Sequence, residues 1–311
     1  MRASIIVATH NRPEKLSETL INLTRQSVDT REFEIIVVDD GSEPPVQLSD
    51  EAPANLRLLR LPNVERSAAR NAGAQSATGE LLIFVDDDIT VQPDFVNKHV
   101  AAQREWPGAL QVGAIRLPED ASSTSFGRFR QQLEDTGIPL ARGLTSMPNF
   151  CAAANMAISK ARFEELGGFD VTLSSSEDQD FALRHTSSGG RIAFVPEARV
   201  VHRDGALDIQ SYCKRAEWGA ANMLPFVERY PDFADNVVRK RVNGALQIGA
   251  EPLTDSARKL FKTLLATKPL SRLLVASARM LERAAPDSSL LDRVYRMILG
   301  VHIFRGFRRS Q

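Results

Sequence analysis

Residues 1–90 alternate short apolar runs with longer mixed ones. The stretches 3–9, 33–38, 56–61 and 81–85, rich in Ile, Val and Leu, read as strands. One helix is expected from Pro13 to about Gln26 and another from about Ser67 to Ala77, stopped by Thr78-Gly79. Pro13 suits a first helical turn, where its missing N–H is no loss. Strands alternating with helices make βαβ units on a parallel sheet, and right-handed crossovers put the ends of 3–9, 33–38 and 81–85 on one edge. That edge gathers Thr9, Asn11, Asp39, Asp40 and Asp86 to Asp88.

Further on, the pattern predicts a helix over 93–104, a strand over 110–116 and a Ser-, Gly- and Pro-rich stretch over 118–148 with a helical piece near 125–135. A second set follows: strand 151–158, helix 160–167, a break at Gly167-Gly168, helix 178–188, and strands 191–195 and 198–202. After 206 the periodicity is helical, as in Leu260-Phe261…Leu264-Leu265 and Val294…Ile298…Val301. The expected division is a catalytic domain at 1–205, a helical segment at 206–255 and a basic amphipathic helical tail at 256–311.

Composition narrows the class. Of 311 residues, 43% are apolar and 25% charged, as in ordinary soluble proteins. No apolar run reaches the length of a membrane-spanning helix, and the N-terminus enters a strand without signal-peptide features. Cys151 and Cys213 make no framework and are expected reduced and packed, which points to a cytoplasmic protein. Net charge is zero, yet residues 256–311 hold 12 Lys/Arg against 3 Asp/Glu while the rest holds 27 against 36. An acidic body argues against nucleic-acid binding; a basic tail suits an anionic surface.

The chemistry concentrates at Asp86-Asp87-Asp88, directly behind Leu81-Leu82-Ile83-Phe84-Val85. A buried strand ending in carboxylates opens into the crevice where α/β sheets bind ligands. Carboxylates this close need a compensating cation, and hard oxygen ligands suit Mg²⁺ or Mn²⁺ beside a phosphorylated substrate. A solvated acidic turn is the alternative. Because residues leaving a strand alternate in direction, Asp86 and Asp88 can face one side and Asp87 the other.

Several segments together resemble family 2 glycosyltransferases. These are Ile5-Ile6-Val7-Ala8-Thr9-His10-Asn11-Arg12-Pro13, Glu34 through Ser42, Ala69-Arg70-Asn71-Ala72-Gly73 and Gly79 through Asp88. Later come Ala154-Asn155-Met156-Ala157-Ile158, Gly167-Gly168-Phe169-Asp170, Glu177 through Arg184, and Val201-His202. Each motif is weak alone; their order and spacing over residues 1–205 is specific. The resemblance implies a GT-A fold, that is, a Rossmann-like mixed α/β sheet with flanking helices. It also implies a nucleotide-sugar donor, UDP-linked for preference, a divalent cation and inversion at the anomeric carbon.

By the same resemblance, Thr9, Asn11, Arg12, Asp39, Asp40, Arg70, Asp86, Asp87 and Asn155 face the nucleotide sugar. Asp39 accepts from the base in this reading, an Asx turn before Gly41 being the alternative. Asp88, Asp86 and His202 would hold the metal, a set that suits Mn²⁺ better than Mg²⁺. Asp178 would be the general base, with Glu177, Arg184 and Trp218 on the acceptor side; helix capping is the plainer role for Glu177-Asp178.

The Gln-x-x-Arg-Trp motif and membrane helices of processive members are missing, since Gln210…Arg215…Trp218 is wrongly spaced. The expectation is single-sugar transfer to a glycan, lipid-linked or small-molecule acceptor, in surface polysaccharide or glycolipid assembly. A nucleotidyltransferase would want a glycine-rich basic loop where Ala8 to Pro13 stands; an inactive sugar-nucleotide-binding protein would not need Asp86, Asp88, Asp178 and His202. Three readings of 256–311 stay open: peripheral contact with an anionic membrane at its inner face, a homodimer interface, or packing on the body.

Overall fold

The computed structural model describes residues 1–49, 51–136, 138, 141–146, 148, 150–204, 208–233, 246 and 249–309, with the Lys268 side chain left aside. The chain divides into two compact units, one of residues 1–118 and 134–203, the other of 119–133 and 204–311.

The first unit is built on a mixed sheet of nine strands. β1 (Ala3–Thr9), β2 (Phe33–Asp40), β3 (Leu56–Leu61) and β4 (Leu81–Val85) are parallel in the order β3-β2-β1-β4. The sheet continues through β8 (Asn155–Ser159), β6 (Leu110–Arg116), β9 (Ile192–His202) and β5 (Ile89–Val91), while β7 (Gly143–Thr145) pairs with β9. Strands covered on both faces read as near-continuous apolar runs. Ile5, Val7, Ile35, Val37, Ile83 and Val85 point into one core with Leu16, Leu23, Phe95 and Val96; Ile6, Ile36, Val38, Leu82 and Phe84 point into the other with Ala69, Phe163 and Phe181. The first core is roofed by α1 (Pro13–Leu23) and α3 (Phe95–Glu105). The second is roofed by α2 (Arg66–Ser76), α6 (Lys160–Glu165) and α7 (Glu177–Ser187). Gly73 lets α2 lie close, because a Cβ there would stand 2.6 Å from Ile6 Cγ2.

Register sets the functional edge. Thr9 pairs with Asp39 and Val7 with Val85, so β1, β2 and β4 end nearly flush. The expected strands 191–195 and 198–202 are one strand, β9, whose pairing with β6 is irregular between Gly113 and Ile115. The expected strand 151–158 starts only at Asn155. β5 and β7 were not anticipated; at three residues each they carry too little pattern to read.

The second unit is helical. It contains α4 (Glu119–Ser122), most of α5 (Ser125–Asp135), α8 (Ile209–Asn222), α9 (Leu224–Arg229), α10 (Leu253–Leu265), α11 (Lys268–Ala284) and α12 (Ser289–Arg309). Its core joins Phe126, Phe129, Ile209, Cys213, Ala278, Leu291, Tyr295 and Ile298. The stripe Ile298, Val301, Phe304 and Phe307 of α12 is buried, as its period requires. Arg130, 2% exposed, forms a buried pair with Asp204, its Nη1 at 2.6 Å, and Arg215 reaches the same carboxylate. Pro225 stands in the first turn of α9, directly after α8, where its missing N–H is no loss. Both cysteines are free and buried, and burial raises both thiols, Cys213 up to about 12. No helix among the described residues is long and apolar enough to cross a membrane.

Candidate active site

Asp86, Asp87 and Asp88 follow directly on β4. Asp87 turns inward: its Oδ2 accepts from Thr9 Oγ1 at 2.7 Å and its Oδ1 from Arg12 at 3.1 Å. Thr19 of α1 donates to the carbonyls of Asp87 and Ile89, fixing the triplet's backbone. Burial raises the Asp87 carboxyl, with Asp88 and Asp86 adding to the rise. Asp86 and Asp88 both face His202, and Arg12 Nη1 reaches Asp88 Oδ2 at 3.2 Å as well as Asp87. There β5 runs antiparallel to the end of β9, Ile89 opposite His202, and Arg203 N donates to Asp88 O at 2.7 Å. This hairpin-like pairing carries His202 to the triplet.

His202 Nε2 stands 2.8 Å from Asp88 Oδ1 and 3.6 Å from Asp86 Oδ2. One ligand atom from each of Asp86, Asp88 and His202 lies within 4.8 Å of the others. Two carboxylates and an imidazole at this spacing fit a divalent ion such as Mn²⁺. Asp88 Oδ2 is bound by Lys15 Nζ at 2.9 Å and Arg12 at 3.2 Å. Burial alone would raise Asp88, but the hydrogen bond and charge of His202, with Lys15, hold it well below the usual carboxylate range. Burial likewise opposes ionisation of Asp86, and Arg70 chiefly reverses it.

Arg70, on α2 and 3% exposed, bridges two acids: its Nη2 lies 2.6 Å from Asp86 Oδ1 and its Nη1 3.0 Å from Glu177 Oε1. Arg66, one turn earlier, stands 3.9 Å from Glu177. Beside Glu177 is Asp178, which accepts from Gln179 N at 2.8 Å and Ala153 N at 3.3 Å. Burial and the neighbouring Glu177 charge push Asp178 up to about 7, although Arg70 pulls the other way. A carboxylate so placed is a stronger base than an exposed one. Ser176, just before α7, has φ 67, a conformation costly for a residue other than glycine and common at functional sites.

Four expected site residues are placed differently. Asp39 is fully buried, and its oxygens accept from Ser42 N at 2.9 Å and Val46 N at 3.0 Å. It builds the turn before Gly41. Asn155 is also fully buried, donating to Ala114 O and Ala198 O and meeting His99 Nε2, so it ties strands together. Arg184 binds Asp180 at 2.8 Å, Leu166 O at 2.6 Å and Gly168 O at 2.8 Å, locking the Gly167-Gly168 turn. Glu177 faces inward under Arg70.

Asp40 keeps an edge position, with Oδ1 accepting from Val64 N at 2.6 Å. Asn11, at φ 54, caps the same loop through Glu43 N at 2.8 Å. Trp218 lies on α8 of the second unit, 52% exposed. Sequence reasoning missed Lys15, Thr19 and Arg66. Lys15 had a usable signal, three residues beyond Arg12 and on the first turn of α1, as did Arg66 at i−4 from Arg70.

Residues 4–165, just over half the chain, match the family described as glycosyl transferase family 2. The chain is 27% identical over 215 residues to the pre-mycofactocin glycosyltransferase of Mycobacterium tuberculosis, covering 68% of this chain and 46% of that one. It is 29% identical over 206 residues to the succinoglycan biosynthesis protein ExoM of Rhizobium meliloti, covering 64% and 66%. The chain thus spans about half the length of the first relative and just under two thirds of the second. Among solved structures, the mannosyltransferase PcManGT from Pyrobaculum calidifontis, in complex with GDP-Man and Mn²⁺, superposes with TM-score 0.59 at 18% identity, covering 99% of this chain and 86% of that one. S. aureus TarS 1-349 with UDP-GlcNAc gives 0.55 at 17%, covering 100% and 93%. These likenesses show the GT-A fold, and because the family match covers just over half of it, the chain belongs to glycosyl transferase family 2.

Proposed function

We propose that this glycosyltransferase moves one sugar from a nucleoside diphosphate donor, UDP-linked for preference, to an acceptor hydroxyl with inversion. The carrying observation is one connected charge network: His202 and Asp88, Asp86 and Arg70, Arg70 and Glu177, with Asp178 adjoining Glu177. Asp86, Asp88 and His202 would hold a divalent cation, which when bound supplies charge neutralisation for the departing diphosphate. Mn²⁺ tolerates a mixed carboxylate and imidazole set, and the Pyrobaculum calidifontis mannosyltransferase of the same fold is in complex with GDP-Man and Mn²⁺.

The chain's own groups do the rest. Asp178 takes the proton of the acceptor hydroxyl as that oxygen bonds to the anomeric carbon. The bond to the diphosphate breaks on the opposite face, its electron pair leaving with the diphosphate oxygen. Arg12 and Lys15, partly exposed and already bound at Asp88, are cations placed to meet diphosphate charge. Arg70 keeps Asp86 ionised and oriented. Asp40 and Asn11 line the nucleoside end of the same edge. We place the protein in glycan or glycolipid assembly, with the basic helical region meeting an anionic membrane surface.

Incubation with UDP- and GDP-sugars and Mn²⁺ should give slow donor hydrolysis, and transfer products of inverted anomeric configuration by NMR. Retained configuration, or no turnover of any nucleotide sugar, would overturn the reading.

A further inference from the structure

The helical unit contains a cavity of about 820 Å³ that plays no part in the proposed chemistry. Its walls come from α8, α10 and α12, and the lining is mainly apolar: Met223, Leu265, Leu299, Ile303 and Phe307 among others. Three cations stand on it, Arg258, Lys262 and Arg296. On that lining the Arg258 side chain is 67% exposed, with Asp255 Oδ1 3.4 Å from its Nη1, and Arg296 is also exposed, its guanidinium 5.4 Å from the Phe129 ring centroid. Phe261, 56% exposed, stands there too. Ligand cavities are of this size, an apolar bore with a few polar groups to fix orientation.

An apolar bore with a cationic rim selects one kind of molecule. A neutral hydrocarbon gains nothing from the arginines, and a small anion gains nothing from the bore. We propose that the cavity binds the hydrocarbon chain of a single-chain amphipathic anion, an alkyl or isoprenyl phosphate, with its phosphate held by Arg258, Lys262 and Arg296. None of its lining residues is among those assigned to sugar transfer. Its test needs neither donor nor metal, so its failure would leave the transfer reading untouched. Two sources offer this chemistry, a lipid phosphate taken up singly or a chain drawn from a bilayer.

Gly300 allows a clean test, because it lines the cavity and a Cβ there meets nothing within 4 Å. Gly300→Leu fills the bore without crowding the helix, and circular dichroism and the melting temperature check the fold. Dodecyl phosphate, titrated calorimetrically below its micelle concentration, should bind saturably at one site per chain. Binding should weaken by about tenfold or more in Gly300→Leu and in Arg258→Gln/Arg296→Gln. Dodecyl maltoside, with the same chain and a neutral head, and butyl phosphate, with the same head and a short chain, should bind at least about tenfold more weakly. Absence of saturable dodecyl phosphate binding, equal binding of the maltoside, or unchanged binding in folded Gly300→Leu would overturn the proposal. Cosedimentation with phosphatidylglycerol vesicles separates the sources. Loss of vesicle binding in Gly300→Leu assigns the chain to the bilayer; retention assigns it to a lipid taken up singly.

Discussion

In the sheet-bearing unit, β1, β2 and β4 bury both faces, and the charged groups left over collect at one edge, where Arg12, Lys15, Arg70 and His202 balance Asp86, Asp87, Asp88 and Glu177. In the helical unit, apolar side chains remain outside: Leu253 is 87% exposed, Leu260 and Phe261 56%, and Met280 70%. The same stretch carries a surplus of Lys and Arg. When a core absorbs every apolar residue it can, what stays polar at its edge is informative about chemistry. When apolar residues are left on a basic helix, they are informative about what the helix meets.

The sharpest way to break this contrast is at the base. Asp178→Asn should lower kcat by about 10²- to 10⁴-fold while leaving UDP affinity nearly unchanged, read by steady-state kinetics and calorimetry. Ordinary turnover in the variant would remove Asp178 from the mechanism. Next in size is the core beneath the edge. Phe84→Ala should cost about 3–5 kcal/mol in urea unfolding, because Phe84 is fully buried against Phe163 and Phe169 at 5.1 Å. Arg70→Ala should cost about 3 kcal/mol or more, since it leaves the buried Glu177 without its nearest cation.

A pH series sharpens the electrostatics. Asp178 must be ionised to accept a proton and its carboxyl is pushed up to about 7, so kcat/KM should fall as pH drops through that region. Glu177→Gln removes the neighbouring negative charge and should move the acid limb to lower pH. A limb that stayed in place would show that Glu177 does not set the base. The smallest effect is expected in the other region. Leu260→Ser with Phe261→Ser should change unfolding free energy by less than about 1 kcal/mol, because both side chains are exposed, while weakening binding to anionic vesicles. A large loss of stability there would mean these residues belong to a core.

Much of the sheet unit was legible because its information is local. The apolar run 81–85 ending in three aspartates announces a buried strand and an acidic edge, whereas the bonds of one Arg12 nitrogen to both Asp87 and Asp88 come from a turn that alternation does not describe. His202 was legible by motif alone; only the antiparallel pairing of β5 with β9, too short to read, shows how it reaches Asp88. Asn155 was less legible because its place at the head of β8 says edge, while its side-chain direction is set by the close packing of Gly113, Ala198 and His99 around it. Asp39 was less legible for a related reason: a carboxylate at a strand end serves a ligand or the turn equally well, and its bonds from Ser42 N and Val46 N come only from the folded turn. In the helical unit, periodicity showed the buried stripe of α12, but Arg130 and Asp204 are 74 residues apart and no pattern joins them.

The central claim is that the edge around Asp88 binds a nucleotide through a divalent ion. Calorimetric titration of UDP into the purified protein, with Mn²⁺ and again with excess EDTA, tests it most directly. Saturable binding that disappears with EDTA and in Asp88→Asn is the predicted result. Equal binding with and without the metal would contradict it.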